Sequence, residues 1–257
     1  MRLTTWNVNG ALHKKWPAVV DLRSDVAILQ EVSELDVSMQ ASSCWVGNDR
    51  HKGIAAVGFN GLEVKIHPTW NPSIEFVVPI EVSGPFEFLV LAVWVMHNRA
   101  VNRVQESPNR WQMLLALDAY EGLLASRPSI VAGDFNNAIR FDVTGKPDNH
   151  SNAVRKLTEL GLESAYHTKW AVAQGNEEHA TLYWTWNRNK PYHIDYIWLP
   201  TAWSPGLKAV EIGEFSTRAE GGLSDHVPLT VEVDDSVLGA TAPRGVNASR
   251  QIDASEL

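Results

Sequence analysis

Ser129-Ile130-Val131-Ala132-Gly133-Asp134-Phe135-Asn136 opens as a strand and closes on a carboxylate and an amide. Its near-continuous apolar start marks a strand covered on both faces. A charged group at the end of such a strand is costly unless it is paired or holds a metal. Taken alone, Gly133-Asp134-Phe135-Asn136 is an ordinary Asp/Asn turn. The same juxtaposition recurs along the chain, however. Asn7 follows the first strand, and Glu31 closes Val26-Ala27-Ile28-Leu29-Gln30. By itself Glu31, before Val32-Ser33-Glu34, reads as the start of a solvated turn or a helix cap. Asp195 lies inside Ile194-Asp195-Tyr196-Ile197-Trp198, where a charge calls for a partner or an edge position. Asp225-His226 immediately precedes Val227-Pro228-Leu229-Thr230-Val231-Glu232-Val233; Ser224-Asp225-His226 reads as a capped turn or as an acid–histidine pair that orients an imidazole. If these strand ends converge, they form an oxygen-rich pocket suited to a hard cation such as Mg²⁺ or Mn²⁺. An imidazole beside it would handle protons near neutral pH.

Outward from these segments, Gly53–Val57 and Phe86–Val93 add further strands. A helix is predicted from an N-cap at Ser107 with Pro108 in its first turn, carrying Trp111, Leu114, Leu115 and Leu117 up to Arg127-Pro128. Ser151 is the expected cap of a second helix, with Val154, Leu157 and Leu160 on one face and Gly161 as terminator. A shorter helix is expected to start at Pro17. There is no internal repeat and no interdomain linker. From Ser236 the chain turns small and polar, so residues 1–235 read as one catalytic domain and 236–257 as a surface-draped or mobile extension.

Composition narrows the function. In 257 residues, 44% are hydrophobic and 20% charged, the balance of a soluble globular protein. No apolar run approaches the ~18 residues that cross a bilayer, so no membrane partner is expected. Met1-Arg2-Leu3-Thr4-Thr5-Trp6 lacks the apolar core of a secretory signal, and the single cysteine, Cys44, fits a reducing compartment, with the cytoplasm as default. The net charge of −8 argues against a basic, sequence-independent polyanion binder. It does not argue against an enzyme of nucleic acid, because a metal held by clustered carboxylates reverses the local charge.

Five segments, in order, resemble the endonuclease/exonuclease/phosphatase superfamily of apurinic endonucleases, pancreatic-type DNases, inositol-polyphosphate phosphatases and neutral sphingomyelinases. They are Thr5-Trp6-Asn7-Val8-Asn9-Gly10, Leu29-Gln30-Glu31, Gly133-Asp134-Phe135-Asn136, His193-Ile194-Asp195-Tyr196 and Leu223-Ser224-Asp225-His226-Val227-Pro228-Leu229. The resemblance implies an α/β fold of four layers, a DNase-like two-sheet sandwich flanked by helices, with the site at one rim. It implies a divalent-metal-dependent phosphodiesterase with Mg²⁺ or Mn²⁺ as cofactor and nucleic acid, foremost DNA, as substrate. By the same resemblance Glu31 is the principal metal ligand, and Asn7 supports it or joins Asp225 at a second position. Asp134 orients or deprotonates the attacking water, Asn136 hydrogen-bonds a phosphoryl oxygen, and Asp195 fixes the imidazole of His226. A small or lipid-linked phosphoester remains the alternative substrate. A non-catalytic binding module on the same fold would show erosion of these side chains, and all seven are present.

Some family branches use a histidine after the strand corresponding to Phe86–Val93, which points to His97; His97 reads equally as a loop histidine bonded to backbone. The apurinic enzymes place a tyrosine there, and none occurs between Trp94 and Asn109. Thr181–Pro191 mixes aromatic and basic residues, so Trp186 and Arg188 are candidates to meet a base, sugar or phosphate. At least one of Trp184 and Trp186 is nevertheless expected to face inward, as alternate residues of one strand. Arg99, with Arg103 and Arg110, is a candidate phosphate contact, or one of several scattered solvated arginines.

Overall fold

A computed structural model describes residues 1–38, 40, 42–95 and 111–239. In chain order its strands are β1 (Arg2–Asn7), β2 (Val26–Val32), β3 (Ser43–Asp49), β4 (Lys52–Gly58), β5 (Glu63–Ile66), β6 (Val77–Ser83) and β7 (Phe88–Trp94). They continue as β8 (Ser129–Asp134), β9 (Leu162–Ser164), β10 (Leu182–Tyr183), β11 (Pro191–Tyr192), β12 (Asp195–Pro200), β13 (Leu207–Ile212) and β14 (Leu229–Val233). One six-stranded sheet runs β13-β14-β1-β2-β4-β3, the other β5-β6-β7-β8-β12-β9, and β10-β11 form a separate ribbon. Within each large sheet one pair is parallel, β1 with β2 and β7 with β8, and the other pairings are antiparallel.

Period-two alternation explains the four layers. Leu3, Ile28, Val90, Ile130 and Ile197 point into the seam between the sheets and form a shared core. Their neighbours Ala27 and Leu29, and Leu89, Leu91, Val131 and Tyr196, point the other way. The outer face of the first sheet is covered by Leu12 and Val19 of helix α1 (Leu12–Val20). After the short helix α2 (Glu34–Ser38), the outer face of the second sheet is covered by Met113, Leu114 and Leu117 of α3 (Gln112–Ser126) and Leu157 of α4 (His150–Glu159). Strands buried on both faces therefore read as continuous apolar runs, as expected. Val237 and Leu238 still pack on the seam core.

Three local expectations need correction or fall outside the described residues. The first helix starts at Leu12 and holds Pro17 inside it; burial of the Leu12, Lys15 and Val19 stripe outweighs the missing amide hydrogen bond. Ser151 does not cap α4, which begins at His150. Asp142, eight residues earlier, accepts from the amides of His150 (2.6 Å) and Ser151 (3.1 Å) and satisfies that helix end from a distance. Gly161 does end α4, at φ +75°. The predicted cap at Ser107-Pro108 lies outside the described residues. No helix among those described is long and apolar enough to cross a membrane.

Candidate active site

The parity that builds the seam also aims the polar strand ends. Asn7 shares its face with Leu3, Asp134 with Ile130 and Ala132, and Asp195 with Ile197, so all three point into the seam at one rim. Asp134 and Asp195 are direct partners across the antiparallel β8–β12 pair. Strand β12 lies between β8 and β9, but β9 reaches only Trp198–Pro200, so at Asp195 one side is paired to β8 and the amide on the other side is met by Thr181 Oγ1. Glu31 has the opposite parity and reaches the rim by a bulge: Gln30 pairs with Ile54 and Val32 with Gly53, leaving Glu31 as the extra residue at φ +58°. Asn136, at φ +46°, turns back onto the end of β8. Gly133 lies at φ +151°, where a Cβ would meet the Val93 carbonyl oxygen at 1.8 Å, so only glycine lets β8 approach β7 here.

The Asp225-His226 segment is held from three sides. Ser224 Oγ donates to the Asn7 carbonyl (2.7 Å), the His226 amide donates to Ser224 Oγ (3.1 Å), and Trp6 Nε1 donates to the His226 carbonyl (3.0 Å). The Asp195 amide donates to Thr181 Oγ1 (3.0 Å), whose own carbonyl accepts from Val227, tying β12 to the same segment.

At the centre, Asn7 Nδ2 donates to Glu31 Oε1 (3.2 Å) and Asp134 Oδ2 (3.1 Å). The Asn136 backbone and side-chain amides donate to Asp134 Oδ1 (2.8 Å) and Oδ2 (3.1 Å). His226 Nδ1 donates to Asp195 Oδ2 (2.9 Å), while Nε2 faces Asp134 Oδ2 at 3.9 Å. Asp134, Asp195 and His226 are all buried. Burial, and then Asp195, push the Asp134 carboxyl well above the usual carboxylate range, against His226 and the Asn7 and Asn136 hydrogen bonds. Burial disfavours a charge on His226, but Asp195 and Asp134 together outweigh it and hold the imidazole well above its usual value.

A second group continues toward solvent. The Asn9 amide donates to Asn7 Oδ1 (3.1 Å), and Asn9 Nδ2 donates to Asp225 Oδ1 (3.1 Å). Beneath this loop Lys15 is buried and donates to the Val8 and Asn9 carbonyls. Burial lowers the Lys15 ammonium from its ordinary pKa, against the opposing pull of Asp225 and Glu31. On the other side of Glu31, Lys52 Nζ meets Oε2 at 2.8 Å.

Two groupings fit a hard cation. Asp134, Asp195 and His226 present ligand atoms all within 4.8 Å of one another, and Asp195 Oδ1 is buried without a hydrogen-bond partner among the described residues. The Glu31 carboxylate, partly exposed and backed by Asn7, offers an accessible oxygen donor set of the kind hard ions prefer. Asn7 turns its amide nitrogen toward the carboxylates and commits its oxygen to Asn9, which suits it to support ligands more than to be one.

The structure thus joins Asn7, Glu31, Asp134, Asn136, Asp195, Asp225 and His226 in one network. Trp186 and Arg188 belong to a surface turn after β10, whose Leu182 bridges to His226. The expectation that one of Trp184 and Trp186 faces inward is wrong: they lie in a 3-10 turn, not a strand, and are 52% and 42% exposed. Thr185 and Trp186 both adopt positive φ, which breaks the alternation that would have buried one ring. Arg188 stacks over Phe215 and pairs with Glu220. His97, Arg99, Arg103 and Arg110 lie outside the described residues. Sequence reading missed Lys52, Lys15 and Thr181 as site components. Thr181 opens the quoted aromatic-basic stretch but is neither aromatic nor basic, and Lys52, a lysine at the head of a strand, carries no signal of its partner.

A buried Asp–His pair facing a second carboxylate, beside a partly exposed glutamate, has groups that chemistry on phosphate esters calls for. Comparison with known proteins agrees. The chain belongs to the Endonuclease/Exonuclease/phosphatase family, whose model matches residues 4–226, and the family supports phosphoesterase or nuclease activity. No curated protein sequence matches it. Among solved structures it is similar to a 3′-5′ exonuclease (NExo) from Neisseria meningitidis, at TM-score 0.67 and 21% identity, covering 91% of this chain and 100% of that one. A 3′ phosphatase NExo from Neisseria bound to a product DNA hairpin matches at TM-score 0.62 and 20% identity, over 91% and 99%. An AP endonuclease from Archaeoglobus fulgidus matches at TM-score 0.62 and 18% identity, over 91% and 99%.

Proposed function

We propose that this chain is a divalent-metal-dependent phosphodiester hydrolase, a nuclease that cuts DNA by in-line attack of water. The observation that carries the reading is the gathering of seven polar side chains from five separate segments onto one rim. Glu31 would hold Mg²⁺ or Mn²⁺, which when bound supplies positive charge against the phosphoryl oxygens. We assign the ion to Glu31 and not to the buried trio, because His226 Nδ1 is already committed to Asp195 and the two carboxylates favour its proton.

The protein groups then have separable tasks. Asp134, with its carboxyl raised toward neutrality, orients the water and takes its proton. Its lone pairs are aimed by Asn7 and Asn136, so little reorganisation is needed at the moment of attack. Asn136 also offers an amide to a phosphoryl oxygen. His226, held by Asp195, presents Nε2 as a charged donor to the phosphate. Asp225, through Asn9, keeps the Asn7 loop in register. Trp186 and Arg188 lie on the strand connection beside His226 and would meet a base or the backbone of a longer substrate.

The Neisseria neighbour bound to a DNA hairpin favours a DNA substrate, and its description as a 3′ phosphatase favours terminal 3′-phosphate as a second substrate of the same site. A small or lipid-linked phosphoester is the remaining alternative. The single cysteine, Cys44, supports a reducing compartment such as the cytoplasm. The test is a panel of plasmid, single-stranded DNA, 3′-phosphorylated oligonucleotide, RNA, bis-p-nitrophenyl phosphate and p-nitrophenyl phosphate with Mg²⁺ or Mn²⁺, run beside Glu31→Gln. Diester cleavage abolished by EDTA and by the variant supports the reading. Hydrolysis of p-nitrophenyl phosphate alone overturns the nuclease, and equal rates for Glu31→Gln overturn the metal assignment.

A further inference from the structure

Glu31 has a protein cation on it. Its Oε1 takes the Asn7 amide, and its Oε2 takes Lys52 Nζ at 2.8 Å. The bulge at Glu31 turns the carboxylate out of β2, and Lys52 heads the neighbouring strand β4, so the two meet at the rim. The lysine side chain is 49% exposed and the glutamate 19%, so the pair lies at the mouth of the site and not in its dry interior. The same ammonium sits 5.5 Å from the ring centroid of Trp94, the last residue of β7, which pairs in register with Asp134. Lys52 therefore spans from the first sheet to the end of β7, the strand beside the one that carries Asp134.

An ammonium and a divalent ion seek the same carboxylate oxygen. A lysine displaced from it would stay tethered on a flexible four-carbon stem, and the nearest incoming anion would be the substrate phosphate. We propose that Lys52 is a resident counter-cation of Glu31: it weakens divalent-ion binding to the free protein and, on release, contacts a phosphoryl oxygen. Ion and phosphate then bind with positive coupling, and that coupling is reciprocal by linkage. The proposal rests on the reading of Glu31 as the metal-holding carboxylate.

The test is titration of Mn²⁺ into the metal-stripped full-length protein, followed by calorimetry and by the electron paramagnetic resonance of free Mn²⁺, with and without inorganic phosphate. Lys52→Met should bind Mn²⁺ about fivefold more tightly than wild type without phosphate, the order expected for removing a partly exposed ion pair. Lys52→Arg should keep the weak binding. Phosphate should tighten Mn²⁺ binding to wild type by a larger factor than to Lys52→Met. Unchanged or weaker Mn²⁺ binding by Lys52→Met overturns the proposal, as does an equal phosphate effect in both proteins. Lys52→Gln, which removes only the charge, provides the same readout should the methionine variant fail to fold. Glu31→Gln separates the two readings: if it binds Mn²⁺ as wild type does, the metal assignment itself falls, and Lys52 with it.

Discussion

The site has a dry end and a wet end. Asp134, Asp195 and His226 lie almost wholly out of solvent, whereas Glu31 and Lys52 face each other at the mouth. In the dry end charges persist only because they compensate one another: the acids support the imidazole proton, and burial with like charge raises Asp134. In the wet end solvent screens the ion pair, so exchanging one cation for another costs little, about 0–1 kcal/mol. Groups that must hold a proton at a fixed place belong in the first environment. A carboxylate that must accept and release an ion belongs in the second. The difference supports the proposed division, with proton handling at one end and ion exchange at the other.

The sharpest way to break that division is to remove one carboxylate from each end. Asp134→Asn should lower kcat on bis-p-nitrophenyl phosphate by about 10³-fold, the loss expected for a positioned general base. Raising Mn²⁺ should not restore it, because the missing function is proton acceptance. Glu31→Gln should lose a comparable factor at low Mn²⁺ but regain about tenfold as Mn²⁺ is raised, since its defect is in occupancy. Equal recovery in both variants, or in neither, would erase the distinction.

Next in size is the backbone beneath the dry end. Gly133→Ala forces a Cβ against the Val93 carbonyl at a position of φ +151° and should cost about 3 kcal/mol, read from the urea midpoint. Gly122, in the exposed part of α3 with nothing within 4 Å of a built Cβ, is the control. There Gly→Ala should be neutral or stabilise by up to about 1 kcal/mol. A mild Gly133→Ala would mean that β7 and β8 can separate and that the dry end is not rigid.

The dry end also carries a pH dependence of its own. His226 has its pKa raised in the fold, so its pairing with Asp195 stabilises fully below the ordinary imidazole value of about 6.5. That contribution is lost as pH rises through the higher folded value. The Tm gap between wild type and Asp195→Asn should therefore be several degrees at pH 6 and shrink in alkali. As the proposed base, Asp134 would act unprotonated, so the acid limb of kcat/KM should fall well above pH 4. A limb near pH 4 would place the base outside the buried end.

How legible this was in the sequence depended on what each residue answers to. Ile130 and Val131 were readable because strand periodicity is local, and Asp134 and Asp195 were conspicuous as charges in apolar runs. Their convergence follows from the same parity that places Ile130 and Ile197 in the seam. What could not be read was set by tertiary contact. Asp142 caps α4 across eight residues and so displaced the expected role of Ser151. Lys52 finds Glu31 only through the β2–β4 pairing and its bulge. Trp184 and Trp186 defeated the alternation rule because two successive positive-φ residues replaced the strand with a turn.

That turn gives the smallest expected effect, and it tests whether binding outside the two ends matters. Trp186 is 42% exposed and Trp184 52%, while Lys190 Nζ sits 4.8 Å from the Trp184 ring centroid. Single exposed rings are ordinary on a protein surface, but either offers a flat face on which a nucleobase could stack. Trp184 is already partly covered by its lysine, so Trp186 is the better platform. Trp186→Ala should raise KM about fivefold on a single-stranded oligonucleotide, near the lower end of about 1–3 kcal/mol for a stacked base. It should leave kcat, and both constants on bis-p-nitrophenyl phosphate, within about twofold, because that small diester reaches the two ends of the site without crossing the turn. An equal loss on both substrates would mean that Trp186 supports the His226 segment through β10. No loss on either would mean that the turn lies off the path of the substrate.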